Sequence, residues 1–224
     1  MNSQNLLARA CGFSYVVLIV SGIFGIAHVP ATLIDWTSPG LTLANIQASE
    51  LLFRLGIVSQ VICFIAFICL PLMLYRLLGH AGKNAALFML AFSLISVPIS
   101  LLGTAHYLDV LYLLSGSGYL EPIPLAQLEL EVMSHLAAVN NRATLTNIFA
   151  GLWLFPFGYL VYRSGLLPKI FGVLLIMGGF GYLVDFFIRF FSLPELPWYV
   201  NLISHLGVFG IALWLLLLGV RNKN

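Results

Sequence analysis

The chain has 224 residues, of which 61% are hydrophobic and only 8% are charged. Because about a quarter of the residues of an ordinary soluble domain are charged, this composition excludes that class of protein. The formal net charge of +2 is too small to indicate a nucleic-acid partner.

Six apolar stretches, each long enough to cross a bilayer, follow one another along the chain. A transmembrane helix needs about 20 mostly apolar residues to cross the hydrocarbon core. The predicted spans are residues 10–34, 52–75, 84–108, 143–162, 170–191 and 199–220. The fifth qualifies by length only if Asp185 and Arg189 lie inside it. We therefore predict an all-α, polytopic membrane protein in which residues 1–224 form a single six-helix transmembrane domain.

The basic residues predict the orientation of these spans. Lysine and arginine near the ends of spans mark the cytoplasmic side. With the N-terminus inside, seven of the ten basic residues fall on that side, namely Arg9, Arg76, Lys83, Arg163, Lys169, Arg221 and Lys223. All eight acidic residues fall on the outer side. We predict a multi-pass protein of the prokaryotic cytoplasmic (inner) membrane, with both termini in the cytoplasm and membrane lipids around it.

The second outer loop has a helical pattern after its glycine and proline residues. Apolar side chains recur there at helical spacing, at Leu125, Leu128, Val132, Leu136 and Val139. Glutamine and glutamate side chains lie off that stripe. This pattern predicts a short amphipathic helix that lies on the outer membrane surface or caps the bundle.

Asp185 and His205 are predicted to lie deeper than the other polar residues of the outer side. Asp185 is 16 residues after Lys169, and His205 is 16 residues before Arg221. Each interval is about 24 Å of helix, which places both side chains about 6 Å below the outer border of the hydrocarbon core. An ionised carboxylate at the centre of a membrane costs about 2.5–3.5 kcal/mol or more, so Asp185 needs a partner or a water-filled cavity.

Several partners for Asp185 are available on the outer side. Arg189 is four residues further along the same helix face, Arg54 and Arg142 lie at the outer border, and His205 is predicted at the same depth. We predict an outward-opening polar pocket lined by Glu50, Arg54, His106, Asp109, Arg142, Asp185, Arg189 and His205. Two simpler interpretations stay open: a structural clamp between helices, and arginines that only anchor the border.

The histidines do not predict a metal site or another cofactor. Four of the five, His28, His106, His135 and His205, lie in the outer half, but no two have the H-x-x-x-H spacing of a helical zinc site. A haem with two histidine ligands needs facing helices, and His106 with His205 is the pair to test. No nucleophile elbow, P-loop or C-x-x-C motif is present. We predict no cofactor and no metal.

Four sequence blocks resemble a known family of prokaryotic membrane proteins, domain of unknown function 4386. They are "SELLFRLGI", "LLSGSGYL", "GYLVYRSGLLPKIFGVLL" and "GYLVDFFIRF". The resemblance implies a six-helix membrane protein and supplies no activity. The residues of this chain that match the family pattern are Glu50, Arg54, Tyr162, Arg163, Asp185 and Arg189. The segment "AAVNNRATLTN" departs from the family pattern, so the resemblance assigns nothing to Arg142.

Three functions are compatible with these patterns. The first is a non-enzymatic protein that binds or carries a small or lipophilic ligand, with Arg54 and Arg189 meeting an anionic group and Asp185 holding them. The second is a membrane-embedded enzyme that acts on lipid, with Asp185 and His205 as an acid–base pair. The third is an accessory subunit of a membrane complex. We favour the first.

Overall fold

Helices make up the described part of the chain, which comprises residues 3–116, 123–193 and 198–221 of a computed structural model. No strand occurs in those residues, which confirms the predicted all-α class. The elements are α1 (Ser3–Gly22), a π-helical segment (Ile23–His28), α2 (Val29–Leu33), α3 (Pro39–Ala48), α4 (Glu50–Leu78), a 3-10 turn (Gly79–Ala81), α5 (Lys83–Leu114), α6 (Leu125–Leu152), α7 (Leu154–Ser164), α8 (Lys169–Phe190) and α9 (Trp198–Leu217).

Five helical stretches among the described residues are long and apolar enough to cross a membrane. They are Ser3–Leu33, Glu50–Ala81, Lys83–Leu114, Leu125–Ser164 and Lys169–Phe190, and they contain the first five predicted spans except for two residues, Ile34 and Phe191. The prediction of a multi-pass helical membrane protein is therefore confirmed. α9 follows them, and its apolar part includes His205–Leu217.

The long helices follow one another around the bundle and close into a ring. α1 packs against α4 and α9, α4 packs against α5, and α5 packs against α6 and α7. α8 packs against α6, α7 and α9, so the last helix lies between α8 and α1. At the end that carries the N-terminus, the Val220 N–H donates a hydrogen bond of 3.0 Å to Asn5 Oδ1. This bond joins the beginning of α1 to the segment after α9.

Residues 125–139 differ from the prediction of a separate short helix in the second outer loop. They form the first half of α6, which continues without interruption to Leu152. No proline or glycine occurs between Ala126 and Ala150, so nothing in the sequence ends the helix early. Val132 and Leu136 are buried in the same apolar cluster as Val110 of α5. The amphipathic stripe therefore packs against the bundle as part of a long helix.

Small residues allow α8 to approach α6 and α7 closely. A Cβ atom at Gly158 would lie 2.6 Å from the backbone oxygen of Gly172, and a Cβ at Gly172 would lie equally close to that of Gly158. Gly151 and Gly179 form a similar pair, with corresponding distances of 2.8 and 3.0 Å. The backbones thus touch at two levels, which is the small-residue packing typical of membrane helices.

Aromatic rings fill the half of the ring that lies toward the termini. Trp153 stacks on Phe157 with 5.2 Å between centroids and meets Phe67 edge-on at 5.1 Å. Tyr15 packs against Trp153 and is fully buried. Because these side chains come from α1, α4 and the α6–α7 junction, they hold neighbouring spans together on one side and leave the other half of the bundle for polar groups.

One backbone carbonyl of the π-helical segment has no partner in its own helix. In that segment Val29 N–H donates to Phe24 O, five residues earlier. The matching donor for Gly25 O would be residue 30, which is proline and has no N–H. The Gln60 side chain of α4 donates to Gly25 O instead, at 2.8 Å, and is itself buried. A side-chain amide therefore replaces a helix hydrogen bond that Pro30 removes.

We expect Gln60→Leu to lower the free energy of unfolding by about 1–3 kcal/mol, because it leaves Gly25 O unpaired at nearly constant side-chain volume. The Thr104 hydroxyl, which donates to Gln60 Oε1, has the Ser100 carbonyl at 3.2 Å as an alternative acceptor and is not left unpaired by the substitution. In a Pro30→Ala background, which restores an N–H at residue 30, the cost of Gln60→Leu should be smaller. Unfolding of the single and double variants in detergent measures this coupling, and equal costs in both backgrounds would contradict it.

Candidate functional site

A cavity of about 530 Å³ lies in the half of the bundle away from the termini. Its walls come from the π-helical segment, α2, α4, α5 and α6, with Arg189 of α8 at one side. Apolar side chains form much of the wall, namely Ile26, Pro30, Ala31, Ile34, Trp36, Phe64, Leu136, Val139 and Ala143. A volume of this size is in the range of sites that bind small organic molecules.

The polar wall of the cavity is a chain of hydrogen bonds that crosses three helices. Gln60 links the π-helical segment to α4 through the Gly25 carbonyl, and Thr104 of α5 donates to Gln60 Oε1 at 2.9 Å. Ser100, one turn from Thr104 on α5, contacts Thr146 of α6 at 3.3 Å between hydroxyl oxygens. Each of these side chains lines the cavity. Because every member has a partner, this wall is held in place without any ligand.

Arg142 is the exception in this polar wall. It lines the cavity from α6, and its Nη1 is buried without a hydrogen-bond partner among the described residues. Gly103 of α5 faces it, and a Cβ atom at residue 103 would lie 3.6 Å from the Arg142 Cβ, which is an ordinary van der Waals contact. A buried guanidinium nitrogen without an acceptor is costly, so Arg142 needs an anionic or polar partner in the cavity.

Asp185 lies behind the cavity and connects α8 to α6. Its Oδ2 accepts a hydrogen bond of 2.8 Å from Asn147 Nδ2 and one of 2.9 Å from Arg189 Nε. Asn147 and Arg189 both line the cavity, and the Asp185 side chain is 26% exposed. The carboxylate thus holds two cavity-lining side chains. It joins α8 to α6 through the Asn147 amide, and its arginine partner, Arg189, lies on the same helix as Asp185.

Glu50 and Arg54 lie apart from the cavity. The predicted i, i+4 pair forms on α4, with 2.6 Å between Glu50 Oε1 and Arg54 Nη2. Both side chains are at least half exposed, and neither lines the cavity. Exposed pairs of this kind contribute only about 0.3–0.5 kcal/mol. Glu50 and Arg54 therefore form a surface ion pair.

His106 and Asp109 join a histidine that the predicted site omitted. His106 Nδ1 lies 3.0 Å from His135 Nδ1 and 3.1 Å from Asp109 Oδ2, and His135 Nδ1 lies 3.4 Å from the same oxygen. His106 and Asp109 are on α5, and His135 is on α6. These three residues form a second polar cluster, which we call the His–Asp–His cluster, outside the residues that line the cavity.

His205 has a described contact with a tyrosine of the neighbouring helix. Its Nε2 lies 3.3 Å from the Tyr182 hydroxyl, which joins α9 to α8. The Tyr15 hydroxyl, in the aromatic half of the bundle, is buried without a hydrogen-bond partner among the described residues. Tyr182 thus connects His205 of α9 to α8, the helix that carries Asp185.

The loop between α2 and α3 positions Trp36 at the cavity. Asp35 Oδ1 accepts hydrogen bonds from the Thr37 hydroxyl at 2.6 Å and from the Thr37 N–H at 2.8 Å. These bonds hold the pKa of the Asp35 carboxyl below its usual value, with the Thr37 hydroxyl as the largest cause. The Asp35 N–H also donates to Thr42 Oγ1 at 2.8 Å. Trp36, half exposed between these anchored residues, lines the cavity.

The structure therefore divides the predicted pocket into separate groups. It brings Arg142 and Arg189 together at the cavity with Asp185 behind them, whereas the other predicted residues form the surface pair, the His–Asp–His cluster and the Tyr182 contact. Sequence reasoning missed Gln60, Thr104, Asn147 and His135. Gln60 and Asn147 could have been identified from the sequence, because amide side chains inside an apolar span need a hydrogen-bond partner.

The sequence has recognisable relatives. A family model described as domain of unknown function (DUF4386) matches residues 10–219. The chain is also similar to a protein of Archaeoglobus fulgidus described as an uncharacterized protein, with 26% identity over 166 residues. That similarity covers 73% of this chain and 83% of the relative. No solved structure matches the chain.

Proposed function

The chain belongs to the DUF4386 family, a domain of unknown function, and we propose that it binds or carries an anionic amphiphile in its cavity. The anionic group, a carboxylate or phosphate, meets Arg142 and Arg189, and the hydrocarbon part lies against the apolar wall. The observation that carries this proposal is the buried, unpartnered Nη1 of Arg142 in a cavity of about 530 Å³.

The unpartnered guanidinium nitrogen of Arg142 favours an anionic ligand over a neutral one. The neighbouring polar groups of the cavity wall, Gln60, Thr104 and Asn147, already have protein partners. A carboxylate or phosphate oxygen gives the guanidinium a charge-assisted hydrogen bond, which is about twice as strong as a bond between neutral groups. The selectivity for an anionic head group therefore comes from a group that the protein leaves unsatisfied.

The apolar wall supports an amphiphile rather than a small inorganic anion. Ile26, Ile34, Phe64 and Leu136 offer hydrocarbon surface beside Arg142, and a hydrated ion gains nothing from such contacts. Trp36, which is 53% exposed, and Arg189, whose side chain is 49% exposed, supply an entrance from the outer side. Asp185 acts as a holding residue, because it fixes Arg189 and Asn147 at the cavity.

The described contacts favour this function over the two alternatives. Asp185 makes its described hydrogen bonds to Asn147 and Arg189, which both line the cavity, and this suits a holding role rather than proton transfer. An accessory subunit has no need for a cavity with a buried cation. We therefore place Arg142 at the centre of the site and Asp185 in support.

We expect sodium laurate to raise the melting temperature of the protein in an uncharged detergent and to lose this effect in Arg142→Gln. Losing one charge-assisted hydrogen bond should weaken laurate binding about 10- to 100-fold, from about 1.5–3 kcal/mol. Arg54→Gln is the matched control, because it removes an arginine of the same end that lies outside the cavity. Dodecanol and dodecyltrimethylammonium, with the same chain but no anionic group, should stabilise much less.

Three results would contradict this proposal. Equal stabilisation by laurate and dodecanol would show that the anionic group is not recognised. Equal loss in Arg54→Gln and Arg142→Gln would show a general charge effect. If Arg142→Gln does not fold while Arg142→Lys folds and ignores laurate, Arg142 is a structural clamp.

We further propose that α9 is a sixth span and that both termini lie in the cytoplasm. α9 has 20 residues, or about 30 Å of helix, which matches the hydrocarbon thickness, and it packs between α8 and α1. An even number of spans returns the C-terminus to the side of the N-terminus. The seven basic residues at that end support its cytoplasmic location.

Cysteine labelling in intact cells tests this topology. In a variant without Cys11, Cys63 and Cys69, a membrane-impermeant maleimide should label Gln127→Cys, on the outer part of α6, and not His80→Cys, in the turn after α4. Both positions are exposed, and permeabilised cells should show labelling of both. Labelling of His80→Cys alone in intact cells would show that the protein has the opposite orientation, with both termini outside.

A further inference from the structure

We propose that the His–Asp–His cluster binds a divalent transition-metal ion of the zinc class. His106, Asp109 and His135 are the described group of metal-ligating side chains whose ligand atoms come together, all within 4.8 Å of one another. The proposal concerns a second site, separate from the ligand cavity, and it holds whether or not the cavity binds an amphiphile.

The helix pair brings these ligands together at one level. α5 runs away from the terminal end of the bundle and α6 runs back, so His106 lies one turn beyond Gly103 and His135 lies one turn beyond Val139. Gly103 and Val139 both line the cavity, which places the cluster just outside it. Asp109, three residues after His106, is on the same face of α5. Regular helix geometry therefore sets the ligand positions.

The distances between the ligand atoms fit a metal ion. The three separations are 3.0, 3.1 and 3.4 Å. Ligands about 2.0–2.1 Å from a tetrahedral zinc ion lie about 3.3–3.4 Å from one another. The observed triangle is only slightly smaller, so an ion can reach all three atoms from a position above its plane. Small side-chain rotations supply the remaining few tenths of an ångström.

The two facing imidazole nitrogens point to a cation as well. At 3.0 Å, His106 Nδ1 and His135 Nδ1 cannot both carry a proton, and two bare lone pairs repel each other. One shared proton or one cation resolves this contact. A metal ion uses both lone pairs and the Asp109 carboxylate at once, whereas a single proton on one Nδ1 is divided between two acceptors.

The ligand types select the metal. Two imidazole nitrogens and one carboxylate oxygen suit Zn²⁺ and similar ions, whereas Mg²⁺ and Ca²⁺ prefer sites made of oxygen. The Asp109 side chain is half exposed, so a fourth position is open to water. The ion would connect α5 to α6 on the outer side of the cavity and fix the two helices that carry Gly103, Thr104 and Arg142.

Metal titration of the whole protein tests this site. The protein is purified in an uncharged detergent with a tag that lacks histidine, treated with chelator, and titrated with Zn²⁺ and Co²⁺. We expect one ion per chain, a rise in melting temperature, and a visible Co²⁺ absorption that saturates at one equivalent. Loss of a supporting group outside the ligand set costs about 10–100-fold in affinity, so His106→Gln, His135→Gln and Asp109→Asn should each cost at least about tenfold.

The controls separate a built site from adventitious binding. His28→Gln removes another histidine of the outer half and should keep wild-type affinity, and Mg²⁺ should not stabilise the protein. Equal Zn²⁺ affinity in wild type and Asp109→Asn, or Co²⁺ absorption that does not saturate at one equivalent, would overturn the proposal. If the histidine variants fail to fold, Asp109→Asn and the wild-type Co²⁺ spectrum decide it.

Discussion

The hydrogen bond from Gln60 to the Gly25 carbonyl is the interaction on which the half of the molecule away from the termini depends. In a hydrocarbon environment every backbone polar group needs a partner inside the protein, and Pro30 removes the helical donor for this one. The Gln60 amide that replaces this donor also accepts from Thr104, so one local defect in the π-helical segment joins that segment, α4 and α5. The helices are therefore joined by polar contacts at this level, and the same side chains line the cavity.

The polar groups around the cavity differ in whether the protein satisfies them. Gln60, Thr104 and Asn147 have protein partners, whereas Arg142 carries a buried nitrogen without one among the described residues. Asp185 satisfies Arg189 and Asn147 and does not neutralise Arg142. The site is consequently preorganised with an unbalanced positive charge, which favours an anion. The aromatic cluster in the other half of the bundle gives this arrangement a rigid base.

Hydrophobicity made the spans predictable, because a long uncharged apolar run leaves few alternatives to a membrane helix. The Glu50–Arg54 and Asp185–Arg189 pairs were also predictable, since residues four apart share a helix face. Contacts between helices were not predictable, because they depend on the rotation of each helix about its axis and on which spans become neighbours. The helical stripe at residues 125–139 was interpreted as a separate surface helix, so His135 was not placed against His106. Asn147 escaped notice because charges, rather than amides, defined the predicted pocket.

Binding of the anionic end of an amphiphile by Arg142 can be tested on the protein as it leaves the membrane. Native mass spectrometry of the protein released from its membrane in an uncharged detergent tests it most directly, since any retained ligand adds its own mass. We predict that each wild-type chain retains one acidic amphiphile and that folded Arg142→Gln retains none. A retained ligand without an acidic group, or an acidic one that Arg142→Gln keeps to the same extent, would contradict it.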